Sequence, residues 1–451
     1  MSNGASVNAL PGTKVWLFAL VAFPTQALYM AIAVYLPQYY ASQFGLELAA
    51  VGLAFAAVRL IDLPVDPLLG IAIDRTSVVR NNYRAWILAG TPVTMLAVYM
   101  LFMAREGITT AQIMFWLLVM YLGTSMLTLA HSAWAANISP SYNERSRMFA
   151  AIGALGVAGM TLLFATPLIS PASGGEMAVP AMGWFILITT PIAVTLATLW
   201  TPPPVHSSTK SSLISVKAYL PLLIHRNMGR VFLAMLLFTT GTAWEGALFL
   251  FYFTDGRGFS VAEASTLLIF ALGAGLLGAP GIARVSMLAS KHAAVMGTAV
   301  FYALALSSLA LVPSDNKLLS SMPVITTGFL YAGFHVLLRS MTADVIDEIR
   351  LSEGKDMSAL LYALLTLAPK LAAAAAIALT FSLLAAIGYR AGTNETNSVA
   401  ALNSLEASYL IGPVAFILAG AGCMFGYGLG PSRTAAIRAE LDKRDRPSPA
   451  S

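Results

Sequence analysis

The chain has 451 residues, of which 58% are hydrophobic and only 10% charged, and its mean hydropathy is +0.75. That composition cannot supply the polar surface of water-soluble domains, so lipid must be the solvent for most of it. A single cysteine, Cys423, excludes an internal disulfide and a thiolate metal site, and five scattered histidines show no zinc-ligand spacing; the net charge of +5 fits basic loops at a membrane surface better than a nucleic-acid partner.

The opening MSNGASVNALPGTK is polar and has no cleavage-site pattern, so the first apolar segment is expected to be the insertion signal. Twelve apolar segments follow, each near the ~20 residues a helix needs to cross a bilayer. The first six are Val15–Tyr40, Ala49–Ile73, Ala85–Ala104, Gln112–Ala135, Met148–Ile169 and Met177–Trp200. The second six are Val231–Phe253, Ala262–Ile282, Ala293–Val312, Leu318–Met341, Leu360–Ile387 and Tyr409–Leu429. Between them lies a polar stretch with Pro202, Pro203, Pro204, Lys210, Lys217 and Arg226. The expected fold is an all-α membrane protein, twelve transmembrane helices in two pseudo-symmetric six-helix bundles. Residues 1–200 form the first bundle, 201–228 a cytoplasmic linker, 229–430 the second bundle and 431–451 a cytoplasmic tail. With both termini inside, twenty lysines and arginines fall on inner segments and only Arg105, Arg257, Lys317 and Arg390 on outer loops. The positive-inside rule therefore sets the orientation. Such a chain is expected as a monomer in a bacterial inner membrane.

An ionised side chain at the bilayer centre costs about 2.5–3.5 kcal/mol, so each one inside a segment is a candidate for function. The second segment carries Arg59, Asp62 and Asp66, spaced by three and four and hence on one helical face. Two adjacent carboxylates can hold a dehydrated cation, or hold one proton between them. They are a metal site only if the ion is sodium. A purely structural Arg59–Asp62 ion pair is the alternative, and it leaves Asp66 unexplained. Pro67 and Gly70 suggest a bend or close packing just beyond. Lys370 sits far from either end of its apolar segment, where snorkelling is of no use. Glu245 lies near the middle of the seventh segment and is a candidate, with His131, Trp134 and His335, to face the substrate. His131, Trp134, Asn137 and His335 are weaker candidates, more in keeping with helix packing. No cofactor is expected beyond a transported H+ or Na+; the partners are a small-molecule substrate and the lipid bilayer.

Arg59 to Thr76 reads R-x-x-D-x-x-x-D-P-x-x-G-x-x-x-D-R-T. This resembles the helix-two signature of the glycoside–pentoside–hexuronide cation symporters, the melibiose permease group of the major facilitator superfamily. Tyr35, Leu36, Tyr39, Tyr40, Gly45 and Leu46, the stretch SPSYNERSRMFA from Ser139, and ADVIDEIRLSEGKDMSALLYALLTLAPK ending at Lys370 are similar to other parts of that family. The resemblance implies cation-coupled symport by alternating access, with Asp62 and Asp66 as coupling carboxylates, Ser125 as a hydroxyl ligand and Lys370 nearby. Gly70, Asp74, Arg75 and Arg84 look like the superfamily's inner-loop latch, with Glu144 and Arg145 as further latch charges.

The chain also departs from that pattern. Where the family holds sugar with an aspartate on helix one, an aspartate on helix four and an arginine on helix five, it has Gln26, Thr128 and apolar residues near Ile152. Gln26 and Thr128 are thereby candidates to face the substrate as well. An amide beside the second helix-two carboxylate is here Val65. Sugars are specified by dense polar contacts, so these losses point to a substrate less polar than a simple disaccharide. The alternatives are a true glycoside symporter, or an uncoupled facilitator or exporter of the same fold. An intramembrane prenyltransferase would use two acidic clusters, Asp62/Asp66 and Asp344/Asp347/Glu348, to hold magnesium, but Arg59 opposes it. A channel would need a filter sequence, and none is visible.

Overall fold

The computed structural model describes residues 10–80, 83–138, 142–169, 178–202, 219–314, 316–354, 357–392 and 397–445. Twelve helices among them are long and apolar enough to cross a membrane. They are α1 (Gly12–Gln43), α2 (Leu48–Arg80), α3 (Tyr83–Phe102), α4 (Thr110–Asn137), α5 (Tyr142–Ile169), α6 (Ala178–Trp200), α7 (Arg226–Gly256), α8 (Val261–Leu288), α9 (Lys291–Leu311), α10 (Lys317–Glu353), α11 (Ser358–Ala386) and α12 (Val399–Gly422). A further helix, α13 (Pro431–Asp445), follows them. Most of the expected linker, with Lys210 and Lys217, lies outside the described residues, and the short helix Tyr219–Ile224 leads into α7.

The chain divides into two compact units. One comprises Met1–Leu46 and Ile61–Leu213, the other Glu47–Leu60 and Ile214–Ser451. The division runs through α2: the turns before Ile61 pack with the second unit, as at Gly52, where an added Cβ would lie 2.5 Å from Phe381 Cβ of α11.

Prolines shape the spans in different ways. In α1, Pro37 cannot donate a backbone hydrogen bond, and just before it the helix widens into a π turn at Ala31–Tyr35, where the Leu36 N–H reaches the Ala31 carbonyl. In α2 the helix continues unbroken through both Pro64 and Pro67. The close packing expected at Gly70 is not found, since a Cβ there meets no described heavy atom within 4 Å.

Two spans depart most from the sequence expectation. The last span begins at Val399, about three turns earlier than hydropathy suggests, and ends at Gly422, about two turns earlier. Asn403, Ser404, Glu406 and Ser408 lower its mean hydropathy, yet they lie inside a helix whose N-terminus is capped by the Ser398 hydroxyl on the Ala401 N–H at 3.1 Å. The tenth helix runs 37 residues, about 55 Å, and so projects well beyond a ~30 Å hydrocarbon layer.

Inside the first unit, helices meet backbone to backbone. A Cβ on Gly159 of α5 would stand 2.0 Å from the Phe23 carbonyl oxygen of α1, and one on Gly123 of α4 would stand 2.5 Å from Thr94 Oγ1 of α3. Small residues at such crossings allow the contact that holds helices together in lipid. Gly159→Val should therefore lower stability by about 3 kcal/mol or more, and Gly70→Ala should leave it within about 0.5 kcal/mol. Thermal unfolding of the detergent-solubilised protein distinguishes the two.

Candidate functional site

Asp62 and Asp66 stand one turn apart on α2. Asp62 is 3% exposed and Asp66 is half-buried. The Ser125 hydroxyl of α4, itself buried, donates to Asp66 Oδ1 at 2.6 Å. That length is typical of a hydroxyl bonded to a carboxylate. The placement of Ser125 follows from the α3–α4 crossing: Gly123 faces α3, and a residue two positions on points about 200° further round the helix, toward α2. Asp62, Asp66 and Ser125 all belong to the first unit, whereas Arg59 and Lys370 fall in the second. Lys370 is half-buried on α11. No group of three or more His, Cys, Asp or Glu side chains that could hold a metal ion occurs among the described residues. Two carboxylates and a hydroxyl are a donor set suited to a transported proton or monovalent cation.

The expected substrate contacts divide sharply. Gln26 is exposed on α1, with its stem against α5 at Gly156, where a Cβ would lie 2.8 Å from Gln26 Cγ. Thr128 bonds its own helix, donating to the Thr124 carbonyl at 2.8 Å. Ile152 packs against the buried core of the unit. His131 and Trp134 belong to that core too: the His131 ring stacks on Phe18 at 4.3 Å with Nε2 2.9 Å from the Phe18 carbonyl, and Trp134 Nε1 donates to the Pro202 carbonyl at 3.2 Å. Both are committed to packing, as is Asn137, which donates to the Tyr83 hydroxyl at 3.3 Å. In the second unit His335 meets Tyr331 edge to face at 5.2 Å. Glu245 is buried among hydroxyl groups of neighbouring helices.

The expected latch charges have the following surroundings. Arg84 donates to the Thr201 carbonyl at the end of α6 and lies over the Trp134 ring, 5.3 Å from its centroid. It thus anchors the chain where α6 ends. Glu144 accepts from the Leu10 N–H at 2.8 Å. Arg75 is exposed, Arg145 half-buried, and the Asp74 side chain lies outside the described part of the structure.

The acidic end of α10 carries a network that the sequence did not announce. Asp344, 3% exposed, accepts from Lys291 Nζ at 2.5 Å and from Arg438 of α13 at 3.1 Å. Arg438 also reaches Asp347 at 3.2 Å, and Glu348 accepts from Asn227 Nδ2 at 2.7 Å. Cations and an amide thus occupy the carboxylates that a magnesium-dependent transferase would need. Ile437 and Leu441, spaced by four, bury the apolar face of α13. That spacing was the available signal.

The MFS/sugar transport protein family matches residues 17–430. The chain belongs to that family. It is a membrane transporter of small molecules, and its relatives are transporters rather than enzymes. The isoprimeverose transporter of Lactiplantibacillus pentosus is 25% identical over 430 residues, covering 90% of this chain and 86% of that protein. An uncharacterized symporter, YnaJ, of Bacillus subtilis (strain 168) is 28% identical over 173 residues, 36% of each chain. In fold, the carrier is similar to the nucleoside transporter NupG, with a TM-score of 0.69 at 13% identity over 92% of this chain and 100% of that one. It is also similar to a bacterial homolog of the human lysosomal transporter Spinster in an inward-facing, unoccupied conformation, with a TM-score of 0.61 at 14% identity over 97% and 98%.

Arg438→Ala should loosen α13. Arg438 is well exposed, so the loss is expected to be about 1 kcal/mol, read as about fivefold faster amide hydrogen exchange across residues 431–445 with the spans unchanged.

Proposed function

We propose that the carrier is a cation-coupled symporter of a small organic solute, working by alternating access in the bacterial inner membrane with both termini in the cytoplasm. One observation carries this reading: within a lipid-spanning helix, the half-buried Asp66 meets a hydroxyl from another helix, one turn from the buried Asp62. A cation arriving there neutralises the pair and gains oxygen ligands from α2 and α4 together. The loaded carrier can then close, because sealing an empty carboxylate pair away from water is costly. Two relatives, a symporter and an isoprimeverose transporter, support coupled transport of a sugar or glycoside. The polar groups at the family's sugar-binding positions are sparse here, an exposed Gln26 amide and a Thr128 hydroxyl already bonded to its own helix, and this favours a substrate less polar than a simple disaccharide.

Proteoliposomes test the reading, with labelled isoprimeverose as the first probe and imposed sodium or proton gradients as drivers. Asp66→Asn should reduce gradient-driven accumulation at least tenfold and leave counterflow largely intact. Full accumulation in that variant would remove Asp66 from coupling. Ser125→Ala, which deletes one hydrogen bond to a charged group, should raise the half-saturating cation concentration about tenfold. Lys370→Ala should shift the pH or sodium dependence of uptake; an unchanged profile assigns Lys370 to packing.

A further inference from the structure

Halfway along α7, the carboxyl of Glu245 is 8% exposed and entirely within the second unit. Its Oε2 accepts from the Tyr302 hydroxyl of α9, and its Oε1 lies 3.5 Å from the Thr327 hydroxyl of α10, which also reaches the Val324 carbonyl of its own helix at 3.1 Å. The Tyr409 hydroxyl of α12 stands beside the same carboxyl. Three helices therefore direct hydroxyl groups at one acid. Among the described residues, no lysine, arginine or histidine contacts it. Among the described residues no side chain of α11 hydrogen-bonds the carboxyl, and Tyr331 of α10 stands near Tyr302.

The identity of these partners matters chemically. A guanidinium would hold a carboxylate permanently as the anion. A tyrosine or threonine hydroxyl can donate to a carboxylate and, after rotating its hydrogen, accept from a carboxylic acid in the same place. The cluster can thus satisfy both states of Glu245 without moving a helix, in a part of the chain where a fixed charge is expensive.

A row of polar aromatics connects this acid to the outer end of the unit. The Tyr409 ring stacks on Tyr252 with centroids 4.0 Å apart, and the Arg257 guanidinium lies 5.3 Å from the Tyr252 ring. Arg257 in turn donates to Glu406 at 3.2 Å, and the Glu406 side chain is 42% exposed. The hydroxyls of Tyr252 and Tyr409 are both buried, Tyr409 beside the Glu245 carboxyl and Tyr252 beside the Arg257 guanidinium, so the row runs from the acid to the Arg257–Glu406 pair.

We propose that Glu245 is a proton-binding site of the second unit, distinct from the Asp62/Asp66 pair and loaded from the outer surface past Glu406, Tyr252 and Tyr409. The site does not depend on the assignment of α2 to cation coupling, and its test uses the proton itself as the probe. The purified full-length carrier, reconstituted in lipid, is titrated while the carbonyl stretch of protonated carboxylic acids is followed by infrared difference spectroscopy. The expected result is one titrating buried-acid band that Glu245→Gln eliminates and Asp66→Asn retains. In Tyr302→Phe the same band should shift in frequency, with its midpoint displaced by about one pH unit. Superimposable titrations of the parent and Glu245→Gln would overturn the proposal, as would loss of the band in Asp66→Asn. Should Glu245→Gln fail to fold, an unmoved band in both Tyr302→Phe and Thr327→Val would overturn it equally.

Discussion

An ion inside a hydrocarbon layer must either be compensated where it sits or be put there to be changed. The charged positions of this carrier sort along that line. Near the C-terminal end of α10, Asp344 is almost fully buried but takes both Lys291 and Arg438, so its charge is a fixed tie between helices. Beyond the C-terminal end of α7, Arg257 gives its guanidinium to the Leu309 and Val312 carbonyls, each at 2.6 Å, as well as to Glu406. Nearby, burial and the charge of Asp255 push the Tyr389 phenol well above its ordinary pKa, so its hydroxyl remains a donor to Asp255 at any physiological pH. Glu245 is different in kind, for it meets hydroxyls that suit more than one charge state.

The spans were legible because a transmembrane helix has to satisfy its own backbone and present apolar side chains over a known length. That rule governs averages, and it slipped where a few polar residues inside a helix had local uses. Glu406 is one of them, since its carboxylate pairs with Arg257; the apolar residues following Gly422 belong to a turn that reverses at Gly426 with φ 66°. The helix-two acids stood out in the sequence for a complementary reason. Two carboxylates four residues apart in an apolar run have no inexpensive structural explanation, and the hydroxyl at Ser125 meets one of them.

What could not be read was the use to which single polar residues are put once helices pack. His131 and Trp134, polar aromatics on a lipid-spanning helix, read in the sequence as weaker candidates more in keeping with helix packing, but the carbonyls they meet, those of Phe18 and Pro202, were not visible there. The motif around Arg84 does not reveal that its guanidinium also meets the Thr201 carbonyl. Backbone carbonyls at helix ends are acceptors that one-dimensional patterns do not display, and in a membrane protein they compete for every donor near them. Gly70 is the converse case, a residue whose motif suggests contact and whose surroundings are open.

The chemistry at Asp66 and at Glu245 also bears on which ion each could serve. A dehydrated sodium ion needs several oxygen ligands converging on a point, and α2 and α4 together bring two carboxylates and the Ser125 hydroxyl to one region of the first unit. The amide that the resembling family adds beside the second carboxylate is replaced by Val65, which removes one neutral oxygen from that set. A proton asks for less: one acid, and neighbours content with either of its forms. Glu245 has those neighbours in Tyr302 and Thr327, and its second unit contains no other carboxylate within contact of it among the described residues. On the proposed readings, the loss of one neutral oxygen weakens a sodium site on α2, and the hydroxyl-lined acid on α7 suits a proton.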